Sequence, residues 1–588
     1  MSENKPTDEQ PTEEKGDLSR RDFQKLLGVS GAAVLGGVSL AGCQGESEAV
    51  FRCPYGDQTF DTQDELKDHL VAAHEDELRA ALGDGPYQCP YGEQEFESLS
   101  ELRAHIKAEH ADEVALPEEW DEEVEVAVVG SGFAGLAAAI EANEAGSTVK
   151  IYEKMPRLGG NSRINGGWLG VVGSDLQEEQ GVEDSVERFM DDLLAAGRDL
   201  NYPELVRFLG ENTEATWRWT VDHLGVEYQD QLHQLGGHSV FRTLKTQEGS
   251  GWGIVRKQIE KIEELGVETE TGARLDDIIR NQDGEVLGLE ICADCDPDQE
   301  DSGETKFVRA TSGVVLATGG FSADVDMRTD QWPSIGEGMG TTNQSGATGE
   351  ALRNAIKQGA TPVQLSWIQL GPWACPEERG FGQGSNWTIG TAPYGVWIDP
   401  ETGERFVDEV ADRRTRAQAQ LAIGNEPDFP LLINDAVSIE NAAEGLTQEL
   451  VENGIVYEFD SLDALAQNFG IPAEPLKAQI ADYNTYIQND EDEQFGKPIP
   501  EDASPLETPP WYAMRIWPKV HHTMGGIAIN TDAQVLEEDE PIPNLYAAGE
   551  ITGGVHGASR LGSIAIPDCL SYGRVAGANA AGASNPYT

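Results

Sequence analysis

The chain has 588 residues, with 41 Lys and Arg against 105 Asp and Glu, a formal charge of −64. That length leaves room for about two to four domains and a substantial core, and so acidic a surface repels nucleic acid and anionic membranes at low salt. The acid is spread along the chain, as expected of a protein working in concentrated salt, where screening removes most self-repulsion.

Residues 1–18 are polar and read as disordered. Ser19-Arg20-Arg21-Asp22-Phe23 then precedes a Gly-rich, mildly apolar run, Leu26–Gly42, too short for a comfortable membrane span. A twin arginine before such a run resembles a Tat export leader. Its end, Leu40-Ala41-Gly42-Cys43, resembles a lipobox, which implies a mature protein anchored by lipid on Cys43 at the outer face of the cytoplasmic membrane. The expected leader is 1–43.

Residues 44–115 hold two repeats, 53–74 and 89–110, each opening C-P-Y-G. Both resemble two-Cys, two-His zinc fingers of ββα form, with Phe60, Leu66, Phe96 and Leu102 at small-core positions. The second Cys is replaced by Gly56 and Gly92. That leaves Cys53, His69 and His74 in one repeat and Cys89, His105 and His110 in the other. Three ligands can hold zinc with an open fourth position, or the finger shape can persist without metal; both readings stay open. Asp64, Glu65, Asp68, Glu75 and Glu77 argue against DNA.

Val124–Gly135, V-E-V-A-V-V-G-S-G-F-A-G, reads as a buried parallel strand running into a glycine turn, with a helix at Leu136–Asn143. In such a unit Gly130 permits the tight turn, Gly132 lets backbone approach a pyrophosphate, and Gly135 lets helix pack on strand. A second strand, Val149–Tyr152, ends at Glu153, placed to take ribose hydroxyls. The stretch therefore binds an adenine dinucleotide. Cys292-x-x-Cys295 lies in an acidic loop after a strand-like run and reads as an incidental pair or a disulfide.

After Glu153 come Lys154 to Gly167, K-M-P-R-L-G-G-N-S-R-I-N-G-G; Val314–Phe321, V-V-L-A-T-G-G-F; and Gly346–Glu350, G-A-T-G-E. The tail holds H-H-T-M-G-G at His521–Gly526 and L-Y-A-A-G-E-I-T-G-G-V-H-G-A-S-R-L-G at Leu545–Gly562. With the fingerprint, residues 122–585 resemble the fumarate reductase and succinate dehydrogenase flavoprotein family. The likeness is greatest to its soluble branch of flavocytochrome fumarate reductases, urocanate reductases and 3-ketosteroid dehydrogenases. The resemblance implies an α/β fold, a Rossmann-like FAD-binding domain in two segments, 122–365 and 517–585. An α+β capping domain, 366–516, is inserted between them, and the finger-like repeats stand in front. It implies FAD against Gly130, Gly132, Phe133, Ala134, Gly135, Glu153, Lys154, Gly160, Asn161, Ser162, Gly166 and Gly167. Thr318, Gly319, His522, Gly549, Glu550, Ala565 and Ile566 complete that set. No His lies in the Gly-Gly-Asn-Ser segment, so FAD is expected to be non-covalent. A helix is expected at Ile564–Asn579, its N-terminus facing the flavin.

The family's reductases add hydride to a carbon–carbon double bond conjugated to a carboxylate, with an Arg as proton donor. Matched motif by motif, the donor falls on Arg413, at the end of R-F-V-D-E-V-A-D-R, and the carboxylate-holding pair on His521 and Arg560. An enoate becomes electrophilic at its β-carbon only when charge building on its carboxylate is stabilised. Three departures bear on the substrate. Fumarate reductases carry a His in a Gln-Ala-His-Pro-like segment, here Gln369-Leu370-Gly371-Pro372-Trp373. Their proton-relaying Glu and Arg fall on Ile389 and Ala392. One end of the pocket is thus expected to be apolar and aromatic, with Trp373 and Tyr394 near it, favouring a monocarboxylate with a bulkier tail over fumarate. No C-x-x-C-H heme site occurs, so a separate electron donor is expected. Two alternatives remain: a ketosteroid-like dehydrogenase working oxidatively, and a lipoprotein that only relays electrons.

Overall fold

The computed structural model describes residues 116–588 apart from 296–301, 337 and 426–427, and before them only 51–52, 59–60, 87–88, 94–96 and 105. The chain divides into two units, Met1–Leu102 and Arg103–Thr588. In the first, Phe51–Arg52 pairs antiparallel with Thr59–Phe60, and Tyr87–Gln88 with Glu95–Phe96, one short hairpin in each repeat. The leader, Cys43 and the candidate ligands Cys53, His69, His74, Cys89 and His110 lie outside the described residues. Among the described residues, His105 included, no group of three or more His, Cys, Asp or Glu is placed to hold a metal ion.

The second unit is built on an eight-stranded sheet. Its centre is Glu122–Val129, where the run of Val and Ala is buried on both faces as a parallel strand requires. Val149–Glu153 lies parallel on one side and Glu304–Leu316 parallel on the other. Glu268–Thr271 extends the first edge. Near its start, Glu304–Leu316 pairs antiparallel with Val286–Ala293, and near its end parallel with Glu540–Ala547, where Val314 faces Leu545. Strands far apart in sequence therefore end together beside the glycine turn. Helix Phe133–Glu144 is buried along most of its length, packed against Ala565–Ala580. A helix apolar all round belongs in a core of this kind. Cys292 and Cys295 are joined as a disulfide.

Residues Val396–Ile398, Leu431–Asp435, Trp511–Arg515 and Tyr457–Phe459 form a separate four-stranded antiparallel sheet. Period-two alternation splits its side chains between two cores. Leu431 and Ile433 pack with Leu476 and Tyr483 on one face, and Leu432 packs with Trp387 and Leu450 on the other. The chain runs toward this sheet through Ile368–Gly371 and returns through Lys519–Thr523. Those two strands pair antiparallel with Gln369 opposite His522. Among the described residues no helix is long and apolar enough to cross a membrane.

Candidate active site

The opening strand delivers Gly130 with φ of 94°. A Cβ there would fall 2.5 Å from the Ala317 carbonyl oxygen, and one at Gly135 would fall 2.0 Å from the Gly130 carbonyl oxygen. Both glycines are thus required by the close approach of strand, turn and helix. Helix Phe133–Glu144 has no acidic side chain in its first turn and no side-chain cap. Its leading N–H groups, which lack intrahelical acceptors, face a cleft suited to an anion. Ser162 Oγ accepts from Phe133 N at 2.9 Å. Buried Glu153 accepts from Ser131 N at 3.0 Å and from Met155 N at 2.9 Å, and Lys154 pairs with Glu350 at 2.8 Å.

A narrow cavity of about 120 Å³ runs along this cradle. Gly130, Gly132, Phe133, Ala134, Glu153 and Lys154 line it, with Gly160, Asn161, Ser162, Thr318, Gly319, Gly549 and Glu550. Its walls also include Ala273 and Leu275, which the sequence reading missed; no motif marks them. The cleft leads to a larger cavity of about 1030 Å³, bordered by Gly166, His522, Ala565 and Ile566 and holding Arg413, His521 and Arg560 on the same wall set. Gly135 and Gly167 line neither cavity. Gly135 serves helix packing, and Gly167, with φ of 68°, has no room for a Cβ beside Thr246 and Ser250. Tyr394 also lies away from both. It sits just past the Gly382–Thr391 helix, where its hydroxyl meets Asp502 at 3.2 Å. Ile389, Ala392 and Trp373 do line the larger cavity.

Arg413 opens helix Arg413–Ile423, capped by Asp412, whose carboxylate accepts from Arg414 N and Thr415 N. Its Nη1 donates to Gln369 Oε1 at 2.9 Å, and its guanidinium lies 4.7 Å from the Trp373 ring centre. The Gln369 amide in turn donates to Ser559 Oγ at 3.0 Å and to the Arg560 carbonyl at 2.9 Å. Gln369 thus ties the two arginine segments together. His521 Nδ1 is 2.8 Å from Thr342 Oγ1. His522 Nδ1 is 3.6 Å from the Glu550 carboxylate, and its Nε2 is buried without a partner, as is Arg560 Nε. Orphaned buried donors and acceptors at a cavity wall are what a bound polar ligand would satisfy.

Charge is inverted here relative to the rest of the chain. Arg198, Lys245, Arg413, Arg414, Arg416 and Arg560 line the larger cavity, against Asp192, Asp412 and Glu550. Among the described residues neither Arg413 nor Arg560 forms an ion pair with a carboxylate. Burial, then the Arg560 and Arg416 charges, pulls the Arg413 proton affinity well below the ordinary arginine range. Burial brings Arg560 down to about 10. Burial, then Arg413 and Arg560, also pushes His521 well below the usual histidine range, so its imidazole is neutral. Behind this wall, Arg405 is bidentate to Glu409 at 2.8 and 2.7 Å and pairs with Asp492 at 2.9 Å. Lys497 Nζ lies 3.4 Å from Glu409, and all four side chains are fully buried. This quartet fixes the segment that ends at Arg413.

A glycine-rich dinucleotide cradle opening into a cation-lined cavity defines a flavin-dependent oxidoreductase. The chain belongs to the FAD binding domain family, which it matches over residues 125–566. It is similar to the acrylate reductase flavoprotein subunit of Shewanella woodyi, 44% identical over 466 residues, covering 78% of this chain and 91% of that protein. It is similar to the urocanate reductase of Eggerthella lenta, at 34% identity over 79% of this chain and 76% of that one. Among solved structures it resembles the open conformation of a flavocytochrome c3 fumarate reductase, with a TM-score of 0.68, 32% identity and 81% of each chain covered. It is an FAD oxidoreductase acting on CH–CH groups.

Proposed function

We propose that the protein reduces the carbon–carbon double bond of a 2-enoate bearing one carboxylate and a neutral tail. The carrying observation is the pair of buried guanidiniums, Arg413 and Arg560, with neutral His521, in one flavin-side cavity and, among the described residues, without an ion pair to a protein carboxylate. FAD, when bound and reduced, supplies hydride to the β-carbon. Arg560 and His521 hold the substrate carboxylate and stabilise the charge that grows there. Arg413 gives the proton to the α-carbon; its lowered proton affinity makes it a stronger acid than an exposed arginine. Gln369 aims that guanidinium. The side chains of Trp373, Ile389 and Ala392 make one stretch of the cavity wall apolar, which supports a neutral tail there.

On the same reading FAD is held non-covalently, and a separate donor reduces it. The resemblance of the leader to a Tat signal and of Cys43 to a lipidated cysteine supports, as part of this proposal, a mature protein anchored on the outer face of the cytoplasmic membrane, with the repeats either holding zinc or keeping the finger shape without it. Anaerobic stopped-flow reoxidation of the reduced holoprotein tests the reaction. Acrylate or crotonate should restore oxidised flavin absorbance, and Arg413→Ala should lose about 10²-fold or more in that rate. If no enoate reoxidises the flavin, or the Arg413→Ala rate is unchanged, the assignment fails.

A further inference from the structure

Trp373 sits where the acting groups meet. Its ring is 4.7 Å from the Arg413 guanidinium, 6.0 Å from that of Arg416 and 6.4 Å from Phe381. It stands edge to face with His521, centroids 5.3 Å apart at 81°. It is only 4% exposed, yet it borders the larger cavity, and its indole N–H is buried without a partner. The reason it reaches this place lies two residues earlier. A Cβ at Gly371 would fall 3.3 and 3.4 Å from the indole Cζ2 and Cε2, and 3.5 Å from His521 Cβ. A methyl at 371 would therefore press on the indole, which would have to give by a few tenths of an ångström.

We propose that Trp373 is the specificity-determining residue of the enoate pocket, admitting a small neutral tail and refusing a second carboxylate or an aryl group. This rests on the enoate-reductase reading above. The indole is a rigid plate in contact with the Arg413 guanidinium and, edge to face, with the His521 ring, so it does not swing aside at low cost. A second carboxylate pressed against the ring would lose water, and the indole itself offers it one N–H donor. A short apolar substituent loses nothing and fills the gap. Discrimination of this steric kind is worth about 10- to 200-fold per group.

The test compares kcat/KM for acrylate, crotonate and cinnamate in the native holoprotein, Trp373→Ala and Trp373→Phe, each normalised to bound flavin. Trp373→Ala should raise the cinnamate-to-acrylate ratio by about tenfold or more, and Trp373→Phe by less. Gly371→Ala, whose new methyl presses on the indole, should move the crotonate-to-acrylate ratio the other way, and it decides the matter if Trp373→Ala does not take up FAD. Ratios within roughly threefold of native in the flavin-loaded variants overturn the proposal. Failure of the enoate reading would look different, since no enoate would reoxidise even the native protein.

Discussion

Gln369 offers the sharpest test of how the proton donor is aimed. Gln369→Leu keeps the side chain's bulk but removes the acceptor 2.9 Å from Arg413 Nη1, together with the donors to Ser559 and to the Arg560 carbonyl. A hydrogen bond to a charged group is worth about 1.5–3 kcal/mol. Spent on orienting an acid, and with a tenfold rate change per 1.36 kcal/mol, that predicts a fall in kcat of roughly 10- to 150-fold. On the proposed function the carboxylate is held by His521 and Arg560 rather than by Gln369, so KM should change less than kcat. Gln369→Glu should also be slow, for the opposite reason. A carboxylate at that distance raises the proton affinity of Arg413 and makes it a poorer acid. Single-turnover reoxidation with acrylate, alongside steady-state kcat and KM, reads both variants. A kcat within about twofold of native in Gln369→Leu, or a loss confined to KM, would refute the aiming role.

The buried quartet makes a stability prediction. Glu409→Ala leaves Asp492 as the one carboxylate of the quartet against both Arg405 and Lys497, so one buried cation loses its counter-charge, which should cost about 3–5 kcal/mol, visible as a fall in melting temperature by calorimetry. Burial alone would raise the carboxyls of Glu409 and Asp492, but Lys497 and Arg405 outweigh it at Glu409 and Arg405 does so at Asp492, so both titrate below the ordinary range. Their stabilisation is complete above the unfolded carboxyl pKa of about 4 and is lost as pH falls through the lower folded values. Acid melts of native and Glu409→Ala protein should therefore converge at low pH; a difference that persists there contradicts this account. Gly130→Ala, which combines a left-handed backbone with a Cβ 2.5 Å from the Ala317 carbonyl oxygen, should yield purified protein that lacks the visible absorbance of bound flavin.

What the sequence made legible follows from where physical constraints leave local marks. The glycine turn was readable because Gly130 and Gly135 answer to close backbone contacts that no other residue tolerates. The last helix, expected over Ile564–Asn579, runs Ala565–Ala580. The strand-like run expected before the Cys292 loop is Val286–Ala293, whereas its antiparallel neighbour Arg274–Arg280 was not anticipated, since charges interrupt its alternation. Gln369 stood in a segment examined for the histidine it lacks. Its partners lie 44 and 190 residues away, and no local pattern encodes such contacts. Tyr394 shows the converse. Proximity in sequence to Ile389 and Ala392 suggested the pocket, but the chain turns after the helix and carries the ring to Asp502.

The antiparallel strands Ile368–Gly371 and Lys519–Thr523 make the intervening stretch exchangeable as a cassette. Its two ends leave the body of the protein one strand spacing apart, so its replacement need not open the eight-stranded sheet. What travels with it is unequal: Arg413 and Trp373 belong to the cassette, whereas His521, Arg560 and the cofactor cradle stay behind. Proton donor and tail preference can therefore be inherited apart from carboxylate recognition. A chimaera carrying a relative's residues in place of 372–518 should keep its flavin and adopt the substrate ranking of the donor.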